Sequence, residues 1–381
     1  MIDDGTLLQA GCVKGYRAAI FDVVYLAAFA VNETVPDAAR VKEMDLELLY
    51  KAADRHLLTG ITAMALESAG VKDQAFTQAL GKAVRKVAVF DVERAAILAK
   101  LEEAGIWHMP LKGSFLKSLY PKIGMRQMAD NDILCDPFRM SDVRDIMESL
   151  GFSANASWGR GVHDNYYKSP VCNFEMHRAL FSAEYDARVE AYYRDVKSRL
   201  MLDEGSRYGY HFSDEDFYLY MLAHEYKHFA GSGTGLRSLL DTYVYVLRKG
   251  EGLDWSYIGK EAQKLGIAEF ERNNRDLAMH LFSGEPLTEQ DKKMLDYVLS
   301  SGTYGTMKNY IRNQIAKRGR IGYLLSRTFP PFRSMKMLYP VLERMPFLLP
   351  LCWVLRLAEA VIRKPRKVIY QLTAALKYRS R

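Results

Sequence analysis

Through most of the first hundred residues apolar side chains recur every third or fourth position, the period of a helix that lays one face on a core. RAAIFDVVYLAAFAV is the first such run. After the turn NETVPD come MDLELLYKAADRHLLTGITAMALESAG and KDQAFTQALGKAVRKVAVFDVERAAILAKLEEAG, the latter stopping at Gly105. A glycine suits a helix end because it takes left-handed backbone without a steric penalty. After Gly105 the texture changes. Short apolar runs, IWHMPL, DNDILC, YYKSPV and CNFEMHRAL, alternate with helix-like stretches at SFLKSLY and SDVRDIMESLG, so strands and helices are interleaved. From Asp186 the helical period returns in SDEDFYLYMLAHEYKHF, where Ser213 and Asp216 have the spacing of a capping box, and in GLRSLLDTYVYVLRKG. The pattern predicts an α+β chain: a helical region over 1–103, a sheet-bearing core over 104–185, a second helical region over 186–306 and a tail over 307–381.

Charge sets the tail apart. The chain carries +7 overall, but from Met307 onward 17 Lys and Arg face only Glu343 and Glu359, a local net of +15 that leaves the body at −8. The tail's longest uncharged run, MPFLLPLCWVL, has 11 residues between Arg344 and Arg356, against the roughly 20 that a spanning helix needs. Residues 320–381 therefore read as an interfacial segment for an anionic membrane surface, where apolar insertion and basic flanks act together; packing on the protein's own core is the other reading. Nucleic acid is the weaker partner, since the body is acidic. Four scattered cysteines, Cys12, Cys135, Cys172 and Cys352, give no metal or disulfide pattern. MIDDGTLLQAGC lacks the basic-then-apolar order of a secretory signal, and a cytoplasmic protein, peripheral at the inner face of the membrane, is expected.

The chemistry concentrates in AGIWHMPLKGSFLKSLYPKIGMRQMADNDILCDP, residues 104–137. A strand running through Lys112-Gly113-Ser114 into a helix offers backbone N–H groups and a close approach at glycine, a setting for phosphate. Asp130 and Asp132 then stand at i and i+2 at the start of a strand, so both carboxylates face one side. Paired carboxylates repel unless a cation lies between them, which points to Mg2+, with Mn2+ as the alternative. Glu175 in VCNFEMH is the candidate third carboxylate from a neighbouring strand, and Arg126 is a planar fork for phosphate charge.

The string "EEAGIWHMPLKGSFLKSLYP…GMRQMADNDILC…NFEMHRAL" resembles the bacterial predicted nucleotidyltransferases of the DNA polymerase β-like superfamily, and the similarity extends over roughly residues 40–250. The resemblance implies a polymerase β-like core, a small mixed sheet with helices, embedded in helical N- and C-terminal regions. It also implies two-metal transfer of NMP from an NTP, ATP first among them, to a hydroxyl acceptor on a protein, small molecule or sugar. Asp130, Asp132 and Glu175 would be catalytic metal ligands. Gly113 and Ser114 would hold the β- and γ-phosphates, with Lys112 and Arg126 meeting the charge of departing pyrophosphate.

His177 shares a strand face with Glu175. HEYKHFAGSGT places His224 and His228 one turn apart with Glu225 beside them, the H-E-x-x-H spelling of zinc peptidases, but Thr234 stands where the longer motif has a third histidine. With Arg237 and Asp241 at i, i+4 on the next helix, the two histidines read better as an inward-facing helical layer beside the transferase core. A fold that binds nucleotide without turnover is the remaining alternative.

Overall fold

The structure is a computed structural model that describes residues 10–155, 159, 161–183, 185–363 and 365–377, with side chains omitted at 10–14, 337, 367, 372, 376 and 377. The opening of MIDDGTLLQAGC lies outside the described residues. The chain divides into two compact units, Met1–Tyr226 with Gly235–Thr303, and Lys227–Thr234 with Tyr304–Arg381.

The first unit begins with α1 (Ala10–Val31), α2 (Ala38–Lys42), α3 (Leu46–Arg55), α4 (Thr59–Ser68) and α5 (Gln74–Glu103). Aspartates start several of these helices: Asp45 accepts from the N–H groups of Glu47 and Leu48, and Asp73 accepts from that of Phe76, each such cap being worth about 1 kcal/mol. The single run predicted over MDLELLYKAADRHLLTGITAMALESAG is broken between α3 and α4, where Leu57 takes φ 55° and the adjoining His56 is buried. Gly105 ends the α5 region with φ 66°, as its position predicts.

The sheet follows, with β1 (His108–Pro110), α6 (Gly113–Leu119), β2 (Asn131–Cys135), α7 (Met140–Ser149), β3 (Ser153–Ala154), β4 (His163–Lys168) and β5 (Cys172–His177). Spatial order is β1-β2-β5-β4-β3. β2 and β5 are parallel and the remaining neighbours antiparallel, so the sheet is small and mixed. In YYKSPV the strand ends at Lys168 and the remainder turns the hairpin between β4 and β5. One face packs on α5 and α7: Phe174 has Phe90 at 5.7 Å and Phe152 at 5.4 Å between ring centroids, with Val87, Ile97, Ile133 and Met147 buried in the same core. Truncating Phe174 to Ala would cost about 3–5 kcal/mol. That burial fixes the register of β5 and commits its alternate residues, Glu175 and His177, to the other face.

Helices complete the unit: α8 (Ala187–Tyr193), a short hairpin of β6 (Leu200–Leu202) and β7 (Tyr210–Phe212), then α9 (Asp214–Gly231), α10 (Leu236–Lys249), α11 (Trp255–Leu265), α12 (Ala268–Ser283) and α13 (Glu289–Ser301). At the start of α9, Ser213 Oγ accepts from the Asp216 N–H, while the Asp216 carboxylate accepts from the Tyr257 hydroxyl. Half of the predicted box is thus used for the cap and half for an interhelical bond.

The second unit contains α14 (Met307–Thr328), kinked at Gly319, α15 (Phe332–Leu338), α16 (Leu349–Arg363) and α17 (Pro365–Lys377). Its apolar residues divide between two small cores, Ile311, Ile315, Tyr323 and Ala375 in one and Met335, Leu342 and Cys352 in the other, and an exposed set that includes Ile321, Phe347, Leu351 and Val354. Among the described residues no helix is long and apolar enough to cross a membrane.

Candidate functional site

Parallel pairing sets Asp132 on β2 directly opposite Glu175 on β5. Asp130 lies two residues before Asp132, and one oxygen from each of Asp130, Asp132 and Glu175 falls within 4.8 Å of the other two. β1 runs antiparallel on the far edge of β2, and the Leu111 N–H continues the ladder to the Asp132 carbonyl at 2.9 Å. The chain then turns sharply at Lys112, which has φ 31°, a left-handed value that is uncommon outside glycine. The turn brings its ammonium 3.3 Å from Asp132 Oδ2 and 2.8 Å from His224 Nε2. Asn131 points the other way, where Arg94 of α5 donates to its Oδ1 at 3.2 Å.

The three carboxylates are unequal. Burial, joined by the charge of Asp132, raises the Asp130 carboxyl above its ordinary range. Burial would raise Asp132 as well, but Lys112 and His177 outweigh it and hold that group well below the usual carboxylate range. For Glu175 burial again opposes ionisation, and the nearby His177 imidazole prevails to lower it. His177 is raised: burial works against its charged form, but Asp132 and Glu175 favour it. Its Nε2 lies 3.5 Å from Asp132 Oδ1 and 3.5 Å from Glu175 Oε2. All-oxygen donors in this arrangement suit a hard divalent cation.

Several residues singled out in the sequence take other positions. Arg126 does not face the carboxylates: it is buried, with Nε 2.7 Å from Asp241 Oδ1 and Nη2 2.8 Å from Asp241 Oδ2, and the Tyr120 hydroxyl donates to the same carboxylate at 2.7 Å. The guanidinium is occupied by a fork-to-fork pair, so its geometry serves the segment leading to Asp130. Gly113 is closely covered from below: a Cβ there would come within 2.9 Å of Met128 Cε and 3.1 Å of Arg126 Nη1, so both side chains would have to shift. Ser114 has both its N–H, at 3.2 Å, and its Oγ, at 2.8 Å, on the Leu111 carbonyl; the expectation of open donors at this turn fails there because the short helix closes on itself. Arg237 Nη1 donates to the Gln127 carbonyl at 3.2 Å, while Asp241 takes Arg126, so this i, i+4 pair braces residues 120–128.

The H-E-x-x-H helix is divided by its own period. His224 faces Lys112, whereas Glu225 is buried on the opposite side with Asn274 Nδ2 at 3.3 Å. His228 is exposed, not inward-facing as expected, and falls in the segment that belongs to the second unit. Neither of the residue groups with metal-ligand spacing among the described residues includes His224 or His228.

Two residues near the carboxylates escaped the sequence reading. His163 of β4 stands opposite His177 in register, with ring centroids 4.8 Å apart and Nε2 3.5 Å from Glu175 Oε2. Lys86 of α5 donates to the Ala129 carbonyl at 2.8 Å, adjoining Asp130. Only strand pairing and helix packing reveal either one.

A family model described as an uncharacterised nucleotidyltransferase matches residues 42–283. The chain belongs to that family. The match begins in α2 and runs through α12, so it takes in α11 and α12 beyond residue 250, where the resemblance in sequence was expected to end. Within this nucleotidyltransferase chain the α+β architecture, a small mixed sheet among helices, is consistent with a nucleotidyltransferase domain. No curated protein and no solved structure matches the chain.

Proposed function

We propose that the chain transfers NMP from an NTP, ATP first among them, to a hydroxyl acceptor through a polymerase β-like core, with Mg2+ or Mn2+ at Asp130, Asp132 and Glu175. The observation that carries this reading is the convergence of three carboxylates from β2 and β5 in a chain whose family is named for nucleotidyl transfer. The metal, when bound, would polarise the α-phosphate and offset the charge of the leaving group. Asp130 and Asp132 would hold it, and Glu175, the more accessible of the two lowered carboxylates, would also accept the acceptor's proton. The acceptor oxygen forms a bond to the α-phosphorus, the bond from that phosphorus to the bridging oxygen breaks, and pyrophosphate leaves. Lys112, already against Asp132, would meet the phosphate charge, and the backbone at Gly113 and Ser114 would pack against the phosphates. Arg126, Arg237 and Asp241 would act by holding this turn in place.

Pyrophosphate release from NTP in Mg2+ with host extract as a source of acceptor tests the reading. Wild type is expected to release it and Asp132→Asn is not. Metal-dependent NTP binding with no release in any extract would favour the binding-only alternative. The second unit supports a further partner: exposed Ile321, Phe347, Leu351 and Val354 lie in a stretch of net positive charge, which suits an anionic membrane surface reached by residues 320–381.

A further inference from the structure

Beside the all-oxygen set lies a second group of different chemistry. His163 and His177 oppose one another across the antiparallel ladder of β4 and β5, so both imidazoles stand on one face of the sheet, and Glu175, two residues before His177, shares that face. One ligand atom from each of the three lies within 4.8 Å of the other two. Glu175 Oε2 is 3.5 Å from His163 Nε2 and 3.5 Å from His177 Nε2. Donors about 2.1 Å from a tetrahedral ion stand roughly 3.4 Å from one another, so Glu175 stands at ligand spacing from both imidazoles.

His177 supplies the independent sign of a ligand. The residue is only 8% exposed, and neither Nδ1 nor Nε2 has a hydrogen-bond partner. A buried polar atom without a partner carries the full cost of its lost hydration, and a cation at Nε2 would remove that cost for the ring atom that points at Glu175. Access remains open, since the side chains of His163 and Glu175 are 33% and 25% exposed.

We propose that His163, Glu175 and His177 form a binding site for a divalent transition-metal ion such as Zn2+, Co2+ or Mn2+, distinct from the all-oxygen site and joined to it through Glu175. Two imidazoles and one carboxylate favour borderline metals, whereas Mg2+ holds to oxygen donors and keeps its waters. The site rests on the geometry of β4 and β5 alone and holds whether or not the chain transfers nucleotides.

Full-length protein stripped of metal and titrated with Co2+ tests the site, because nitrogen ligation of Co2+ gives visible absorption whose strength reports its geometry. Wild type is expected to bind Co2+ with such a band, to exchange it for Zn2+ and to keep it in a large excess of Mg2+. His163→Gln, at a part-exposed position, is expected to weaken Co2+ binding by more than about tenfold, since loss of even a group that supports a ligand costs roughly 10–100-fold. His177→Asn should do the same, and Asp130→Asn should leave the band intact. Equal Co2+ affinity in wild type and His163→Gln, or displacement of Co2+ by Mg2+, would overturn the site and leave two histidines that only pair with carboxylates. Pyrophosphate release measured on the same samples keeps this result separate from the nucleotidyl-transfer reading: absence of the band in wild type with release intact removes the histidine site alone.

Discussion

Asp241→Asn tests the position assigned to Arg126. In the wild type the guanidinium and the carboxylate are 8% and 6% exposed and meet through two bonds of 2.7 and 2.8 Å, with the Tyr120 hydroxyl on the same carboxylate. Asparagine preserves the shape and one acceptor oxygen but leaves a buried guanidinium without a counter-charge. Breaking a buried pair in this way costs about 3–5 kcal/mol, and at roughly 2–4 °C per kcal/mol for a unit of this size the melting temperature should fall on the order of 10 °C. Replacing both members, Arg126→Met with Asp241→Leu, should recover most of that loss, because no charge is then stranded. Scanning calorimetry on wild type, Arg126→Met, Asp241→Leu and the double variant gives the coupling directly. An Asp241→Asn melting temperature within a degree of wild type would refute the buried-pair account, as would an Arg126→Met variant that loses NTP binding at unchanged stability, which would return Arg126 to the phosphates.

Three further outcomes follow from other parts of the molecule. Burial, with a smaller contribution from Arg55, pushes the His56 imidazole down to about 3, and its Nδ1 accepts from the Leu236 N–H at 3.2 Å; a depressed imidazole gives stability that is whole above its ordinary 6.5 and is lost as pH falls toward 3, at about 1.4 kcal/mol per unit, so urea unfolding from pH 6.5 down to 4.5 should fall less steeply in His56→Asn. Burial, then Asp241, raises the Glu225 carboxyl to about 8, so its contribution is whole below pH 4.5 and lost as pH rises through 8. Glu225→Gln, which is neutral at every pH, should therefore be more stable than wild type at pH 8, with the difference closing toward pH 5; equal curves would sink this assignment. Co-sedimentation with phosphatidylglycerol vesicles should exceed that with phosphatidylcholine and drop in Phe347→Asp/Val354→Asp, two exposed positions of the second unit, and indifference to vesicle charge would rule out the anionic-surface proposal.

The sequence carried the parts of the fold that depend on neighbours along the chain. Helical period announced α1, α5, α9 and α10, and Gly105 marked the end of the first helical region, because these follow from local spacing and from backbone that only glycine takes freely. The Asp130, Asp132 and Glu175 set was nameable because alternation along β2 and β5 puts each residue on a computable face. What remained hidden depended on pairing. His163 gains meaning only from the register of β4 against β5, and Lys86 only from the packing of α5 beneath β2. Arg126 and Asp241 are 115 residues apart in the chain, and nothing in either segment announces the partner. Gly113 was read for close approach to a ligand, but the close neighbours it has are the side-chain ends of Met128 and Arg126 below it. The zinc-peptidase spelling misled for a related reason: consecutive letters of a helix point in different directions, so His224 reaches Lys112 while Glu225 enters the core between α10 and α12.

The central claim, that Asp130, Asp132 and Glu175 form a metal-dependent nucleotidyl-transfer site, is tested most directly by label transfer. Purified full-length protein, each α-32P-labelled NTP, Mg2+ and host lysate are incubated together, alongside the Asp130→Ala/Asp132→Ala variant. Transfer of label by the wild type and none by the variant is the expected result. Label transferred equally by the doubly substituted protein would contradict the site.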